Sequence, residues 1–264
     1  MHSLLNQALV LIPAYNEAAT IRGLVGRTLD ITPVVVVIDD GSTDATSEQL
    51  TGLPVAILRN ERNLGKGASL WRGFEYALAC GARYVITLDG DGQHRPEDII
   101  RLLTAVKRSP HRIVIGARLH DKQQFPARRY YANQFARFWI SWASGHPIAD
   151  TQSGFRIYPA SLLSRLKRRD VSWNGFVFES ELLIAAGSLG VQTVAVAVPG
   201  IYPKEARHSH FRPVVDIARI VIMVAGRLLR YGMHPVGLWR SLKWPIAIET
   251  SAEYDAVPDV AVDK

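Results

Sequence analysis

The sequence predicts an α/β protein in which a mainly parallel sheet is flanked by helices. Short apolar runs rich in valine and isoleucine alternate with longer segments in which apolar residues recur at helical spacing. This alternation is the pattern of βαβ units, and such units build parallel sheets. Several of the apolar runs stop at carboxylates and glycines. Because ligands bind at the carboxyl ends of parallel strands, these stops predict a functional site along one edge of the sheet.

The composition limits the classes of protein and partner. The chain has 264 residues, which is enough for one large α/β domain with a C-terminal extension. Its formal net charge of +7 favours anionic partners such as nucleotides, lipid phosphates or a membrane surface. The basic residues are not interleaved with aromatic residues as in a nucleic-acid recognition module, so no nucleic-acid partner is expected. The single cysteine, Cys80, excludes an internal disulfide and favours a reducing compartment, the cytoplasm.

The first two predicted strands are each followed by a polar segment. An apolar run over 8–13 predicts the first strand, and apolar residues at helical spacing predict a helix over 17–29. The β-branched run 34–38 predicts the second strand. It leads into 39–44, whose Ser, Thr and Asp side chains are typical of helix caps, so we expect a helix that ends near Leu50.

The third and fourth predicted strands enclose a glycine-rich loop. Residues 55–58 predict the third strand, and the polar loop 60–67 holds Lys66 between two glycines. A helix over 68–80 is expected next, followed by the fourth strand at 84–88. A lysine and backbone amides near the start of a helix suit a phosphate, whereas the simpler interpretation is an exposed loop lysine.

The remaining predicted elements continue the alternation, with one long polar connection. That connection, 119–129, is basic and is typical of a lid or a binding loop. The other predicted elements are a helix opened by Pro96, strands at 113–116 and 191–198, a turn and strand within 150–158, and helices at 130–144, 161–169, 177–186 and 214–229.

The fourth strand ends at the stretch around which the predicted site is organised. Asp89 and Asp91 follow the strand, and each is followed by a glycine. Two adjacent carboxylates raise the cost of ionising each other unless a cation lies between them. Their oxygens, with the amide oxygen of Gln93, suit Mg²⁺ or Mn²⁺ and not zinc, which prefers Cys and His. The alternative is an acidic turn in which Gly90 and Gly92 supply positive φ.

The C-terminal part of the sequence predicts an extension of the domain. We expect a domain over 1–212, a helical extension over 213–244 and a disordered tail over 245–264. The helix of the extension is apolar but contains arginines, so it either packs on the domain or lies in a membrane interface. The apolar excess favours the interface. No run reaches the ~18 to 20 apolar residues that span a bilayer, so we expect peripheral attachment to the cytoplasmic face of the membrane.

Four motifs in a fixed order carry a resemblance to a known family. They are Pro13-Ala14-Tyr15-Asn16-Glu17, Asp39-Asp40-Gly41-Ser42, Asn63-Leu64-Gly65-Lys66-Gly67 and Asp89-Gly90-Asp91-Gly92-Gln93. In this order the chain resembles the family 2 glycosyltransferases, above all the dolichyl-phosphate mannose synthase and polyprenyl-phosphate glycosyltransferase branch. The resemblance spans about 8–199, and it implies a Rossmann-like GT-A fold, a GDP- or UDP-linked sugar donor and a divalent ion, Mg²⁺ or Mn²⁺, on the Asp-x-Asp motif.

The resemblance and the residue chemistry together assign roles to individual residues. The predicted nucleotide-sugar-binding residues are Pro13, Tyr15, Glu17, Ile38, Asp40, Lys66, Asp89 and Gly90. The predicted metal ligands are Asp89, Asp91 and Gln93, and the predicted catalytic residues are Asp91, Glu181 and Arg118. The predicted acceptor- or phosphate-binding residues are Arg128, Arg129, Arg156, Lys204 and Arg207. For Arg156 the alternative is a pair with Asp150 across a turn.

The predicted reaction is an inverting transfer of a sugar to a lipid acceptor, with a polyprenyl phosphate as the first candidate. A phosphate monoester has its second pKa near ~6 and arrives ionised, so it needs arginines more than a base. A hydroxyl on another lipid or glycan would need a carboxylate as general base, and Glu181 is ranked ahead of Glu179 for that role. The alternative for both acids is a solvated carboxylate at a helix start.

Two functions of other classes compete with glycosyl transfer. A sugar nucleotidyltransferase would place a glycine-rich phosphate loop directly after the first strand, where this chain has residues 13–17. A membrane-binding protein without catalysis would have no use for the intact Asp-Gly-Asp-Gly-Gln stretch. The sequence leaves assembly into a homo-oligomer open.

Overall fold

The computed structural model describes residues 2–118, 127–168, 171, 177–201, 213–230 and 232–249, and it gives no side-chain placement for 2, 127–132 and 213–218. Within these ranges eight strands form one sheet. The strands are β1 (Ala8–Ala14), β2 (Val35–Asp39), β3 (Ala56–Arg59), β4 (Tyr84–Thr87), β5 (Ile113–Ala117), β6 (Arg156–Pro159), β7 (Thr193–Ala197) and β8 (Ile248–Glu249).

Helices connect the strands and cover the sheet. They are α1 (His2–Leu5), α2 (Ile21–Leu29), α3 (Lys66–Ala79), α4 (Ile99–Arg108), α5 (Ala127–Ser144), α6 (Ala160–Leu163), α7 (Val177–Ser188), α8 (Pro213–Arg230) and α9 (Pro235–Lys243). Buried apolar side chains form two clusters, which lie on the two faces of the central strands because consecutive residues of β1 alternate between them. The predicted α/β architecture is confirmed.

The strand order places three carboxyl ends side by side. The sheet runs β3-β2-β1-β4-β6-β5-β7-β8, and only β6 is antiparallel to its neighbours in this sheet. β1 lies between β2 and β4, with Ala14 opposite Asp39 and Leu11 opposite Thr87. The polar segments that follow these three strands therefore meet at one edge, as the sequence predicts.

The helix expected after β2 is wrong, since only the single 3₁₀ turn Glu48–Leu50 forms there. The polar side chains that would have capped it bind the loop after β1 instead. The backbone N–H of Asn16 donates to Ser42 Oγ at 2.9 Å, and that of Glu17 donates to Thr46 Oγ1 at 2.8 Å. These hydrogen bonds join segments 26 and 29 residues apart, so the side chains hold two strand ends together and do not cap a helix.

The helix expected over 161–169 is shorter, because α6 ends at Leu163.

The C-terminal helices pack on the domain. Ile220, Val224 and Leu228 of α8 are at most 4% exposed and belong to the same apolar cluster as α5 and α7. The indole Nε1 of Trp142 on α5 donates to the Met233 carbonyl oxygen at 3.0 Å, just before α9. The opposite surface of these helices is apolar and exposed. Its large exposed residues are Val221, Ile222, Leu229, Met233, Val236, Trp239, Leu242 and Trp244.

Part of the segment expected to be disordered is ordered. Ile248 pairs with Ala195 of β7, and Arg108 Nη1 lies 2.9 Å from Glu249 Oε2. Residues 250–264 and residues 119–126 of the predicted lid 119–129 lie outside the described residues. The lid prediction is wrong for 127–129, because these residues form the first turn of α5. Within the described ranges, none of the helices combines the length and the apolar character that a bilayer crossing requires.

Candidate active site

The end of β2 anchors the glycine-rich loop that precedes α3. Asp40 is 3% exposed, and its carboxylate accepts hydrogen bonds from Leu64 N–H at 2.9 Å and Gly65 N–H at 2.8 Å. A third bond comes from Asn60 Nδ2 at 2.8 Å. These bonds fix the loop whose next residue, Lys66, begins α3. Asp40, predicted to bind the nucleotide, therefore serves here to position the lysine.

The segment after β1 forms a wall against the acidic turn after β4. Pro13, Tyr15 and Glu17 are partly exposed. A Cβ added at Gly90 would lie 3.0 Å from the Pro13 carbonyl oxygen and 3.4 Å from Glu17 Cγ, so the turn lies close against this wall. Thr20 Oγ1 donates to the Gly90 carbonyl oxygen at 2.8 Å and ties the two segments together.

Ile38, also predicted to bind the nucleotide, is instead part of the core. Its exposure is 0%, and its Cδ1 atom faces Gly73 of α3. The side chain points into the layer between the sheet and α3 because residues of a strand alternate between its faces. The prediction for Ile38 is wrong as a side-chain contact with a ligand.

Lys66 lies between two carboxylates from different parts of the chain. Its Nζ atom is 2.6 Å from Asp89 Oδ1 and 3.1 Å from Glu179 Oε2 at the start of α7. Burial lowers the pKa of Lys66, but the two carboxylates outweigh burial and leave the pKa above its ordinary value. Burial raises the pKa of Asp89, and the nearby ammonium of Lys66 more than reverses this, so the pKa of Asp89 lies below its ordinary value.

The pKa of Asp91 is shifted in the opposite direction from that of Asp89. Burial and the charge of Asp89 raise its pKa above the ordinary value. Its Oδ1 accepts a hydrogen bond from Gln93 N–H at 3.0 Å, across Gly92 at a φ of +73°. A carboxyl group whose pKa is raised by burial and by a neighbouring carboxylate is typical of a functional site.

The residues of this turn fit a hard divalent ion in donor chemistry. Asp89, Asp91 and Gln93 are all partly exposed and offer carboxylate and amide oxygens. A cation beside the pair would relieve the repulsion that raises the Asp91 pKa. Among the described residues no group of three or more His, Cys, Asp or Glu side chains could hold a metal, so protein carboxylates alone do not complete a coordination shell.

Arg118 faces the acidic turn from the end of β5. Its Nε is 3.4 Å from Asp150 Oδ2, and Asp150 Oδ1 in turn accepts the N–H groups of Gln152 and Ser153 at 2.9 and 3.0 Å. Burial raises the pKa values of both Asp89 and Asp91, and the positive charge of Arg118 makes a smaller contribution that lowers them. Arg118 is thus placed where a phosphate bound at the turn would meet it.

Comparison with known proteins decides the family. Residues 9–167 match the family model described as Glycosyl transferase family 2. The chain is a family 2 glycosyltransferase. It is 30% identical over 203 residues to the polyprenol monophosphomannose synthase of Mycolicibacterium smegmatis, covering 73% of this chain and 76% of that protein. It is 28% identical to the undecaprenyl-phosphate mannosyltransferase of Micrococcus luteus, covering 73% of this chain and 82% of the relative.

A solved structure supports the GT-A fold of this glycosyltransferase. Glucosyl-3-phosphoglycerate synthase from Mycobacterium tuberculosis, in complex with Mn²⁺, UDP-glucose and phosphoglyceric acid, superposes with a TM-score of 0.61. The match covers 87% of this chain and 82% of that chain at 20% sequence identity. The expected GT-A fold is confirmed.

Arg156 of the glycosyltransferase is an interior residue and not a phosphate ligand. It is 0% exposed, and its guanidinium donates to the carbonyl oxygens of Thr151 at 3.0 Å and Glu179 at 3.1 Å. It also lies 3.2 Å from the Tyr158 hydroxyl. A guanidinium enclosed in this way has no access to an acceptor, so we correct the prediction. Its position fixes the first turn of α7 relative to β6.

The two acids of α7 point to different places. Glu179 reaches Lys66 and through it Asp89, whereas Glu181 Oε1 lies 3.6 Å from Arg227 Nη2 of α8. Glu179 is therefore the acid that lies nearer the acidic turn, whereas the sequence ranks Glu181 first as a general base. Residues two positions apart on a helix face different directions, which is why only one of them can reach the site.

Two contributors to the site were not predicted from the sequence. His94 is 2% exposed and packs against Phe155 with the two rings tilted by 48°, and burial lowers its pKa to about 4, so it is neutral beside the acidic turn. Gly154 lies under Asp89, where any Cβ would overlap both carboxylate oxygens. The predicted acceptor residues Lys204 and Arg207 lie outside the described residues, as do the side chains of Arg128 and Arg129.

Proposed function

We propose that this family 2 glycosyltransferase moves a sugar from an NDP-sugar to the phosphate of a polyprenyl phosphate, with inversion and with a divalent ion. The observation that carries the proposal is the acidic turn at the end of β4, with Asp91 protonated more readily than usual and Arg118 facing it. Relatives named for polyprenol and undecaprenyl phosphate support this acceptor class. The donor is GDP- or UDP-linked.

In this proposal Asp89, Asp91 and Gln93 hold Mg²⁺ or Mn²⁺. When bound, the ion supplies Lewis-acid stabilisation of the departing diphosphate. Arg118 adds a fixed positive charge to the same side of the site. Pro13, Tyr15 and Glu17 form the wall along which the nucleoside binds, and Lys66 keeps Asp89 ionised and oriented. The neighbour solved with Mn²⁺ and UDP-glucose supports a nucleotide-sugar site in this fold.

The acceptor in this proposal needs no protein base. The carboxylates of Glu179 and Glu181 are each engaged by a cation, at 3.1 Å from Lys66 and 3.6 Å from Arg227. A phosphate monoester is largely dianionic at neutral pH and acts as the nucleophile without deprotonation. A hydroxyl acceptor would require one of these acids to leave its cation first.

We also propose that the protein works at the cytoplasmic face of a membrane, to which the exposed surface of α8 and α9 binds. Ile222 and Leu229 are each 72% exposed, and Trp239 is 57% exposed. Arg240 and Lys243 lie in the last turn of α9, beside these apolar side chains. An apolar face bordered by cations is the composition of an interfacial helix.

The test is transfer of labelled sugar into lipid. Purified protein is incubated with GDP- and UDP-sugars, Mn²⁺ and vesicles that contain a polyprenyl phosphate. We expect release of the nucleoside diphosphate, label in the lipid fraction, and loss of both on chelation. Transfer to free 3-phosphoglycerate alone, or formation of NDP-sugar from sugar phosphate with release of pyrophosphate, would overturn the proposal.

A further inference from the structure

Glu179 has one carboxylate oxygen without a hydrogen-bond donor beside the acidic turn. The residue is 8% exposed, and its Oε2 atom lies 3.1 Å from Lys66 Nζ. Among the described residues none donates a hydrogen bond to the other oxygen, Oε1, although each carboxylate oxygen has acceptor capacity of its own. Since largely buried polar atoms are normally hydrogen-bonded, this oxygen indicates a place for a ligand or a water molecule.

The side chain of Glu179 is held in place from both ends. Its backbone carbonyl oxygen accepts a hydrogen bond from the buried Arg156 at 3.1 Å, in the first turn of α7. Its carboxylate is paired with Lys66, which follows the loop that Asp40 anchors. The oxygen is thus positioned before any ligand binds, and this lowers the cost of ordering a recognition group.

Lys66 adds a hydrogen-bond donor beside this acceptor. An ammonium has three N–H donors, and the described residues take two of them, through Asp89 at 2.6 Å and Glu179 at 3.1 Å. The side chain of Lys66 is 27% exposed and that of Glu179 is 10% exposed, so a ligand can reach the pair from the solvent side. The pair therefore offers a ligand one acceptor and one donor next to each other.

A hydroxyl group matches this pair, because a hydroxyl both donates and accepts a hydrogen bond. An ionised diphosphate has only acceptors and would be repelled by the carboxylate of Glu179. In the proposed function the nucleoside lies along the wall after β1, so the hydroxyl groups of the sugar are the donors that remain. The sugar is also bonded to the diphosphate, which the neighbouring acidic turn would hold through its ion.

We propose that Glu179 and Lys66 bind one hydroxyl group of the donor sugar, with the hydroxyl donating to Glu179 Oε1 and accepting from Lys66 Nζ. Glu179 is then a residue that determines which sugar the glycosyltransferase accepts. An acid paired with an ammonium is a weaker base but still accepts hydrogen bonds, so this role requires no proton transfer. The inference rests on the NDP-sugar donor of the proposed function and not on its acceptor.

The first test compares a nucleoside diphosphate with its sugar-linked form, by calorimetry with Mn²⁺ and without an acceptor. The probes are GDP with GDP-mannose and UDP with UDP-glucose, and the pair that the wild type binds more tightly is used. Glu179→Met removes the acceptor at similar side-chain length. It should weaken the sugar-linked ligand at least about tenfold more than the nucleoside diphosphate, because a hydrogen bond to a charged group is lost. Glu179→Gln retains a neutral acceptor and should show a smaller difference.

The comparison of two ligands separates sugar binding from effects on the metal turn. A change that acts through Lys66 and Asp89 reaches both ligands alike and cancels in their ratio. The control is Glu75→Met, at an exposed position on α3, the helix that Lys66 begins, and it should leave the ratio unchanged. Equal weakening of both ligands in Glu179→Met would show that the acid only neutralises Lys66, and this result would overturn the proposal. Wild-type affinity for both ligands would do the same.

The second test identifies the hydroxyl group. Fluorine cannot donate a hydrogen bond, so donors with one sugar hydroxyl replaced by fluorine are titrated into the wild type and Glu179→Met. One of them should bind the wild type at least about tenfold more weakly than the parent donor, with no further loss in the variant, because both changes remove the same hydrogen bond. Losses of equal size in the two proteins, or no loss for any fluorinated donor, would contradict the contact.

The outcomes distinguish this inference from the proposed function. Sugar-selective weakening in Glu179→Met, without transfer to a polyprenyl phosphate by the wild type, would retain the inference and reject the proposed acceptor. Transfer to the lipid, together with an unchanged ratio in Glu179→Met, would retain the proposed function and reject the inference. If none of the NDP-sugars binds the wild type, both are rejected.

Discussion

The acidic segments after β2 and after β4 contain the same residue types but are used in opposite ways. Asp40 accepts three hydrogen bonds from the loop before α3, and Asp39 accepts the Ser42 amide at 2.8 Å and the Ser47 hydroxyl. Asp91 accepts one, from Gln93 N–H, and shares its surroundings with a second carboxylate. Carboxylates that accept several amide hydrogen bonds hold a scaffold in place, whereas two carboxylates that repel each other at a partly exposed turn would be stabilised by a bound cation.

The largest expected effect is on catalysis, at the turn after β4. Asp91→Asn keeps the shape but removes one charged ligand, so we expect transfer to fall by about 10²- to 10³-fold. The measurement is the initial rate of lipid glycosylation at saturating donor. The variant should unfold at the same or a higher denaturant concentration than the wild type, because it removes the repulsion with Asp89. Retained activity would show that the two segments do not differ in this way.

The next largest effect is on stability, at the segment after β2. Asp40→Ala leaves two buried backbone amides and the Asn60 side chain without their acceptor, which should cost about 3 kcal/mol in the free energy of unfolding. Urea denaturation measures this loss, and Asp91→Ala is the matched comparison, with an expected change within about 0.5 kcal/mol. Similar losses of stability in both variants would show that the acidic segments after β2 and after β4 do not differ in their structural role.

The stability of the protein at acidic pH should depend on His94, the buried histidine beside the acidic turn. Burial lowers the pKa of His94 to about 4 in the folded protein, so the unfolded chain binds the extra proton at higher pH. Stability should therefore fall as the pH falls from about 6.5 to 4, by about 2 to 3 kcal/mol for this residue.

His146 is also buried and its pKa is also lowered to about 4, so it contributes separately to the same window. Denaturation at a series of pH values in the wild type, His94→Gln and His146→Gln checks this. Each variant should lose part of the slope. An unchanged slope in His94→Gln would mean that the residue is not held neutral.

The smallest expected effect is on the affinity for Mn²⁺, at Lys66. Its ammonium lies 2.6 Å from Asp89, so a metal ion that binds before the nucleotide meets a neighbouring positive charge. Lys66→Met should tighten Mn²⁺ binding in the absence of nucleotide by up to about tenfold, equivalent to ~1.4 kcal/mol. Titration followed by manganese paramagnetic resonance is the measurement, with Arg72→Met as the control on the same helix. Weaker binding in the lysine variant would indicate that Lys66 orders Asp89 more than it repels the ion.

The sequence predicts the parallel core of the fold well because that part depends on local patterns. β-Branched runs identify β1, β2, β4 and β5, and the parallel pairing of β1 with β2 and β4 is what βαβ connections predict. The antiparallel β6 does not follow from such patterns. Its insertion between β4 and β5 brings Gly154 under Asp89, a contact between residues 65 positions apart that no local spacing encodes.

The candidate site is predicted in its residue types more than in its contacts. The acidic turn and Arg118 meet as expected, because both follow strand ends at one edge. The burial of Arg156 and Ile38 is not visible in the sequence, since it depends on which face of a strand is covered. The pairing of Lys66 with Glu179 joins residues 113 positions apart and requires the fold.

β6 links two functional parts through its own backbone and side chains. Gly154, just before the strand, supports the Asp89 carboxylate, and Arg156, its first residue, holds the carbonyl oxygen of Glu179 at the start of α7. A substitution in this strand would disturb both the close contact of Gly154 with Asp89 and the hydrogen bond of Arg156 to the start of α7. Evolution toward new acceptors is therefore expected to spare β6 and to change the loops around it.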